Sequence, residues 1–315
     1  MIAVRLGLYL SLMMLMGLAI FPLYALRDAQ REEGRIIPLR NALIFWSSAA
    51  IILSVFGFLV LMAAMMGTSI ADIDWEMCRT ILFGTPIGTA WLIRMAALIA
   101  ALLVALTIRR SDTSRLVAVS CASAVALGTL VWTGHAGAME GQIGSIHKMS
   151  DVLHILAAAI WLGGIVGFLK MLQTPVDQLW DDRLVVAHRA LDSFSRVGTI
   201  CVAVIVVTGL INGQILVGLS NIPALFDSTY GQLLVLKLLL VGFMLLLGAK
   251  NRWRLTPNLG LALSDGSTAP AVSALRTSLL LEAGAALVIL GLVSSLGMLD
   301  PTANVRVEVE RLAMR

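Results

Sequence analysis

Long apolar runs separated by short charged breaks organise the chain. They predict eight helices, at about 4–26, 41–66, 84–108, 115–134, 151–172, 197–217, 231–249 and 276–298. Each approaches or exceeds the roughly 20 residues a helix needs to cross the hydrocarbon core of a bilayer. The first apolar run, Leu6 to Leu26, is too long for a signal-peptide core and no clear A-x-A site follows, so it is expected to remain a span. The expected fold class is all-α: one polytopic membrane domain over residues 1–315, a bundle of eight transmembrane helices.

Composition strengthens this reading. Of 315 residues, 59% are hydrophobic and 13% charged, where a soluble chain is about half apolar and a quarter charged. A water-soluble enzyme, a disordered protein and a nucleic-acid binder are excluded. The net charge of +4 speaks to orientation, because Lys and Arg are spread over the connections. Fifteen of the 23 fall in the breaks after the first, third, fifth and seventh spans, six fall on the opposite side, and Arg94 and Lys237 lie inside spans. Odd-numbered connections are therefore expected in the cytoplasm, and both termini outside, with the bacterial inner membrane as the location. The sequence has no G-x-x-x-x-G-K-[ST] phosphate loop, so no nucleotide partner is expected and transport must be passive or gradient-coupled. Cys78, Cys121 and Cys201 are isolated, which signals neither a disulfide framework nor a thiolate metal site.

A weak internal repeat is visible. The third helix opens Thr85-Pro86-Ile87-Gly88 and carries Arg94; the seventh opens Thr229-Tyr230-Gly231 and carries Lys237. In both, the cation sits six residues after the glycine. The eight spans then read as two parallel four-helix repeats, whose interface is a favoured place for binding.

The densest polar cluster runs from Thr133 to His154, between the fourth and fifth spans, and holds three of the four histidines, His135, His147 and His154. Positions 147, 151 and 154 are spaced i, i+4, i+7, so on a helix His147, Asp151 and His154 form one stripe, which Trp161 continues. With Ser150 as an alternative N-cap, His147 belongs to the loop instead, and both readings stand open. Imidazoles with thioethers suit copper, the thioethers favouring Cu(I), and Met139 lies in the same loop. Asp151 can orient a ligand imidazole or bind metal itself. Met62, Met65, Met66 and Met298 end spans on the same side; methionines at helical spacing in lipid are usually packing. His188 reads as ordinary surface in a charged loop.

Ionisable residues inside spans are costly, and are either paired or functional. Arg94 and Lys237 sit about 9 Å below the outer surface, from six residues at ~1.5 Å each, and Glu282 enters the last span from the other side. Either Glu282 is neutralised by one of these cations, or the set, with Asn212, lines a polar path or gate. Gly163-x-x-x-Gly167 and Gly209-x-x-x-Gly213 offer close helix approaches.

Gly134-His135-Ala136, Asp151-x-x-His154 and Trp161-Leu162-Gly163-Gly164 resemble the copper resistance protein D family of bacterial inner-membrane proteins. Phe194-Ser195-Arg196, Thr208-Gly209, Thr229-Tyr230-Gly231 with Lys237, Lys250-Asn251-Arg252 and Glu282 extend the resemblance from about Thr85 to Pro301. It implies copper passage from periplasm to cytoplasm in copper homeostasis or resistance, without enzymatic activity, beside a separate periplasmic copper-binding protein. The resemblance makes His135, Asp151 and His154 the copper-site members; Met139, Glu140 and His147 are added from spacing alone. Two rivals stand. His135 and His154 could clamp a haem in a haem- or quinone-dependent membrane oxidoreductase, or the chain could bind copper as a sensor or scaffold without passing it.

Overall fold

The computed structural model describes residues 1–33, 37–108, 112–134, 137, 139–173, 180–218, 226 and 228–299. Its elements, in order, are α1 (Ile2–Ala25), α2 (Asp28–Glu33), α3 (Arg40–Met66), α4 (Trp75–Gly84), α5 (Pro86–Thr107), α6 (Thr113–Gly128), α7 (Gly141–Met171), α8 (Trp180–Leu216), α9 (Thr229–Lys250), α10 (Thr256–Asp265) and α11 (Ala269–Leu296). A 3₁₀ turn, Thr129–Thr133, prolongs α6, and a π-helical turn, Asn251–Leu255, joins α9 to α10. Eight helices are long and apolar enough to cross a membrane, and no strand occurs among the described residues. The protein is an all-α polytopic bundle.

The first helix is its axis. α1 packs against α3, α6, α7, α8 and α11, and 67% of its most apolar window is buried, against 11% for α8 and for the α9 span. Small residues let it close on α7. A Cβ on Gly17 would stand 2.7 Å from the Cα of Gly163, so only hydrogen fits between the two backbones. One turn on, Gly167 leaves room for the Phe21 ring, which meets Phe168 edge-on at 5.1 Å. Pro22 sits inside α1 near its end. Beyond it, the Leu26 N–H closes the last turn on Pro22 O, and the buried Arg31 of α2 donates to the carbonyls of Pro22, Leu23 and Leu26 and pairs with Asp28. At the other end, Arg5 donates to Gly297 O at 2.8 Å and ties α1 to the end of α11.

Two helices run well beyond the apolar stretches that announce them. α7 begins at Gly141 and α8 at Trp180, because polar residues extend a helix outside lipid wherever one face still packs. In α8 that face is Leu184, Val186, Ala187, Ala190 and Leu191, all buried, while Asp181 and Asp182 face out. The helical start at Gly141 settles the Ser150 question: Ser150 lies inside α7, and His147 shares its stripe. His188, expected in a surface loop, is half-buried in α8 against α10, where a Cβ on Gly260 would stand 2.7 Å from its Nε2.

The starts of α5 and α9 match in detail. Thr85 Oγ1 accepts from Gly88 N at 3.1 Å and Ser228 Oγ accepts from Gly231 N at 2.9 Å. Cap, glycine and cation recur at the same spacing in both.

Candidate metal site

At the N-terminal end of α7 one face presents His147, Ser150, Asp151 and His154, and Thr208 and Asn212 of α8 lie opposite. Ser150 Oγ donates to Thr208 O at 3.1 Å, and Asn212 Nδ2 donates to Asp151 Oδ1 at 2.6 Å. His154 Nδ1 lies 2.9 Å from Thr208 Oγ1. The Thr208 hydroxyl reaches Val204 O and Ile205 O of its own helix, and giving its proton to either leaves it an acceptor towards the imidazole. In that arrangement His154 Nδ1 carries the hydrogen, with Ile205 O a further partner of the ring, and in the neutral ring Nε2 holds the lone pair. A ligand histidine needs this arrangement: one nitrogen anchored as donor, the other left to a metal.

His147 is 1% exposed. Its Nδ1 lies 3.2 Å from Met139 Sδ, and its Nε2 lies 3.9 Å from Asp151 Oδ2. The loop before α7 folds back to make this contact. Gly144 permits it, since a Cβ there would stand 2.6 Å from the Met139 carbonyl carbon, and Lys148 Nζ holds Met139 O at 3.0 Å. Thioether, imidazole, carboxylate and amide thus follow one another from Met139 to Asn212, whose Oδ1 is buried with no hydrogen-bond partner among the described residues. The first turns of α9 lie within electrostatic range: Tyr230 and Lys237 feel the charge of Asp151, and His154 feels that of Lys237.

The expected residues divide between three places. Met139, His147, Asp151, His154 and Asn212 come together, with Lys237 beside them. Glu282, 2% exposed, lies elsewhere on α11; it accepts from Asn251 Nδ2, and the Trp161 indole also reaches it. Arg94 lies apart from both, 3% exposed, and donates to Thr129 Oγ1 at 2.8 Å and Thr129 O at 3.3 Å, where α6 tightens into its 3₁₀ turn. Among the described residues no ion pair joins Glu282 to Arg94 or Lys237. His135 lies outside the described residues; Glu140 is the exposed N-cap of α7. Met62 is buried beside Phe58 and Cys78, and the Met298 sulfur lies 3.6 Å from Arg5 Nη1. Counting imidazoles, thiols and carboxylates alone, no three converge as a metal centre among the described residues. What converges there is nitrogen, oxygen and the Met139 thioether.

Thr208, Ser150 and Asn251 were not singled out as site residues. Each is a polar side chain in or at the edge of an apolar run, and Thr208 and Asn251 also stand in the motifs that carry the family resemblance.

Two family models match the chain: copper resistance protein D-like, N-terminal domain, over residues 1–145, and copper resistance protein D over 188–296. Copper resistance protein D of Pseudomonas syringae pv. tomato is 40% identical over 308 residues, covering 95% of this chain and 96% of that protein. Inner membrane protein YebZ of Escherichia coli (strain K12) is 28% identical over 82% of this chain and 85% of its own. Copper transport protein CutJ of Bacillus subtilis (strain 168) is 33% identical over 54% of this chain and 31% of its own. No solved structure matches.

Proposed function

Because this chain belongs to the copper resistance protein D family, we propose that it carries copper across the bacterial inner membrane from periplasm to cytoplasm. Copper is its cargo, and no catalysed reaction is part of the proposal. The names of its relatives, a copper resistance protein, a copper transport protein and an inner membrane protein, agree with this reading.

The observation that carries it is the state of His154. Its Nδ1 meets Thr208 Oγ1, which favours a lone pair on Nε2 for a cation; a second imidazole and a carboxylate share its helical stripe, and the Met139 thioether reaches His147 from the loop before α7. Soft sulfur beside imidazole favours Cu(I). In this reading His154, His147 and Met139, with His135, take copper at the outer mouth. Asp151 orients or ligates, its charge offsetting that of the cation, and a separate periplasmic copper-binding protein delivers the ion. Asn212, Lys237 and Glu282 line the way inward, and Arg94 anchors the first half of the bundle. An inside-negative potential supplies about 2.3 kcal/mol per charge per 100 mV, which suffices for inward passage.

His154→Ala tests the site. Cells expressing this variant are expected to accumulate no more copper than cells lacking the protein, at equal levels in the membrane; accumulation equal to wild type overturns the assignment. Purified wild type that binds Cu(I) yet passes none into proteoliposomes is a sensor or scaffold, and a Soret band in its absorption spectrum points to haem instead.

A further inference from the structure

Glu282 is a carboxyl sealed in the bundle without a counter-charge. It is 2% exposed, on the buried face of α11 with Ser278, Leu279, Ala285 and Ala286. α1, α7, α9, α10 and the π turn all pack on α11. None of their titratable side chains, nor Arg276 of its own helix, hydrogen-bonds or pairs with it among the described residues. Lys237 of α9 couples electrostatically to His154 and Asp151, and Arg252 of the π turn donates to Thr199 and Ser195 of α8. What faces Glu282 is neutral: the Asn251 amide and the Trp161 indole.

A lone ionised carboxylate in a low-dielectric interior is expensive, and the ordinary relief is to take a proton. Asn251 can serve both states. Its Nδ2 donates to a carboxylate, while its Oδ1, buried and without a hydrogen-bond partner among the described residues, can accept from a carboxylic O–H once the amide turns over. It also sits at the first position of a π-helical turn, a backbone irregularity frequent at functional sites. Oxygen donors alone are a poor match for a soft copper ion and a good one for a proton.

We propose that Glu282 is a proton site: its carboxyl carries a proton while the path is empty, yields it to the outer side as a cation enters, and takes one back from the inner side when the cation leaves. The O–H bond breaks as the positive charge of the cargo replaces that of the proton, and re-forms afterwards; no electrons are exchanged. Asn251 is its positioning residue, holding whichever form is present. The copper in this statement rests on the function proposed above. The proton site does not.

Infrared difference spectra of the purified protein, recorded through a pH titration in detergent, address the site without copper. The expected result is a carboxylic C=O band that vanishes in Glu282→Gln and shifts in Asn251→Leu, which removes the amide and keeps the carboxyl. A titrating band in Glu282→Gln identical to that of wild type overturns the proposal. Proteoliposomes holding a pH-sensitive dye, given Cu(I) outside at clamped potential, test the coupling. Wild type is expected to move protons out of the lumen as copper enters, and Glu282→Gln to lose that proton signal. Copper uptake by wild type without proton movement overturns the exchange. Wild type that shows the infrared band and takes up no copper sinks the transport reading and supports the proton site.

Discussion

A single hydrogen decides how His154 can act. With the Thr208 proton given to Val204 O or Ile205 O, the imidazole donates through Nδ1 and keeps its lone pair on Nε2. Thr208→Val preserves the shape and deletes this acceptor, loosening the hold on the ring's orientation and tautomer that Ile205 O then keeps alone. Cu(I) affinity, measured by competition with a chromophoric chelator, is expected to fall about 10–100-fold, the usual cost of losing such an orienting partner. Thr208→Ser is expected to retain it, and an unchanged affinity in Thr208→Val removes Thr208 from the site. Asp151 and His154 were legible in the sequence because charge and imidazole at helical spacing stand out against an apolar chain. Thr208 was not legible as their partner. A threonine in an apolar helix ordinarily satisfies its own backbone, as this one does, and its second role depends on the register of α8 on α7, which hydropathy does not record. The Met139–His147 contact depends likewise on a loop fold-back that residue types suggest but do not place.

At the scale of elements, two identical spacings met different fates. Gly163-x-x-x-Gly167 is a true crossing: Gly163 lies against the Gly17 backbone and Gly167 against the Phe21 ring. Gly209-x-x-x-Gly213 is not, since a Cβ on Gly213 would meet nothing within 4 Å and one on Gly209 would only touch the His154 ring, at 3.7 Å. Gly163→Ala must push two backbones apart and is expected to cost about 1–3 kcal/mol, as overpacking does. Gly213→Ala is expected to be neutral or slightly stabilising through helix propensity. Thermal unfolding in detergent, followed by tryptophan fluorescence, distinguishes them; equal midpoints for the two variants would show that α1 and α7 do not cross so closely. The positions of all eight long helices were legible, because lipid demands apolar length. Their outward extensions were not. Outside lipid a helix end is set by capping and by packing on neighbours, which hydropathy does not see. Cap signals were present at Thr85, Asp112 and Ser228, each accepting from a backbone N–H of the first turn.

For the whole molecule, every functional statement depends on which way the bundle faces. The charge asymmetry of the connections puts the Met139–His154 cluster on the side with six cations and the Lys250–Arg254 turn on the side with fifteen. With that orientation an inside-negative membrane draws a cation from the histidine cluster towards the opposite face; with the reverse one, the same field would hold the ion at the mouth. Ser145, exposed on the first turns of α7, and Ser264, exposed near the end of α10, mark the two faces. In a background with Cys78, Cys121 and Cys201 replaced, a membrane-impermeant maleimide applied to intact cells is expected to label Ser145→Cys, and to label Ser264→Cys only after lysis. The opposite pattern would invert the bundle. Copper leaving the histidine cluster would then move outward against the potential, and protons entering through Glu282 in exchange would have to supply the energy.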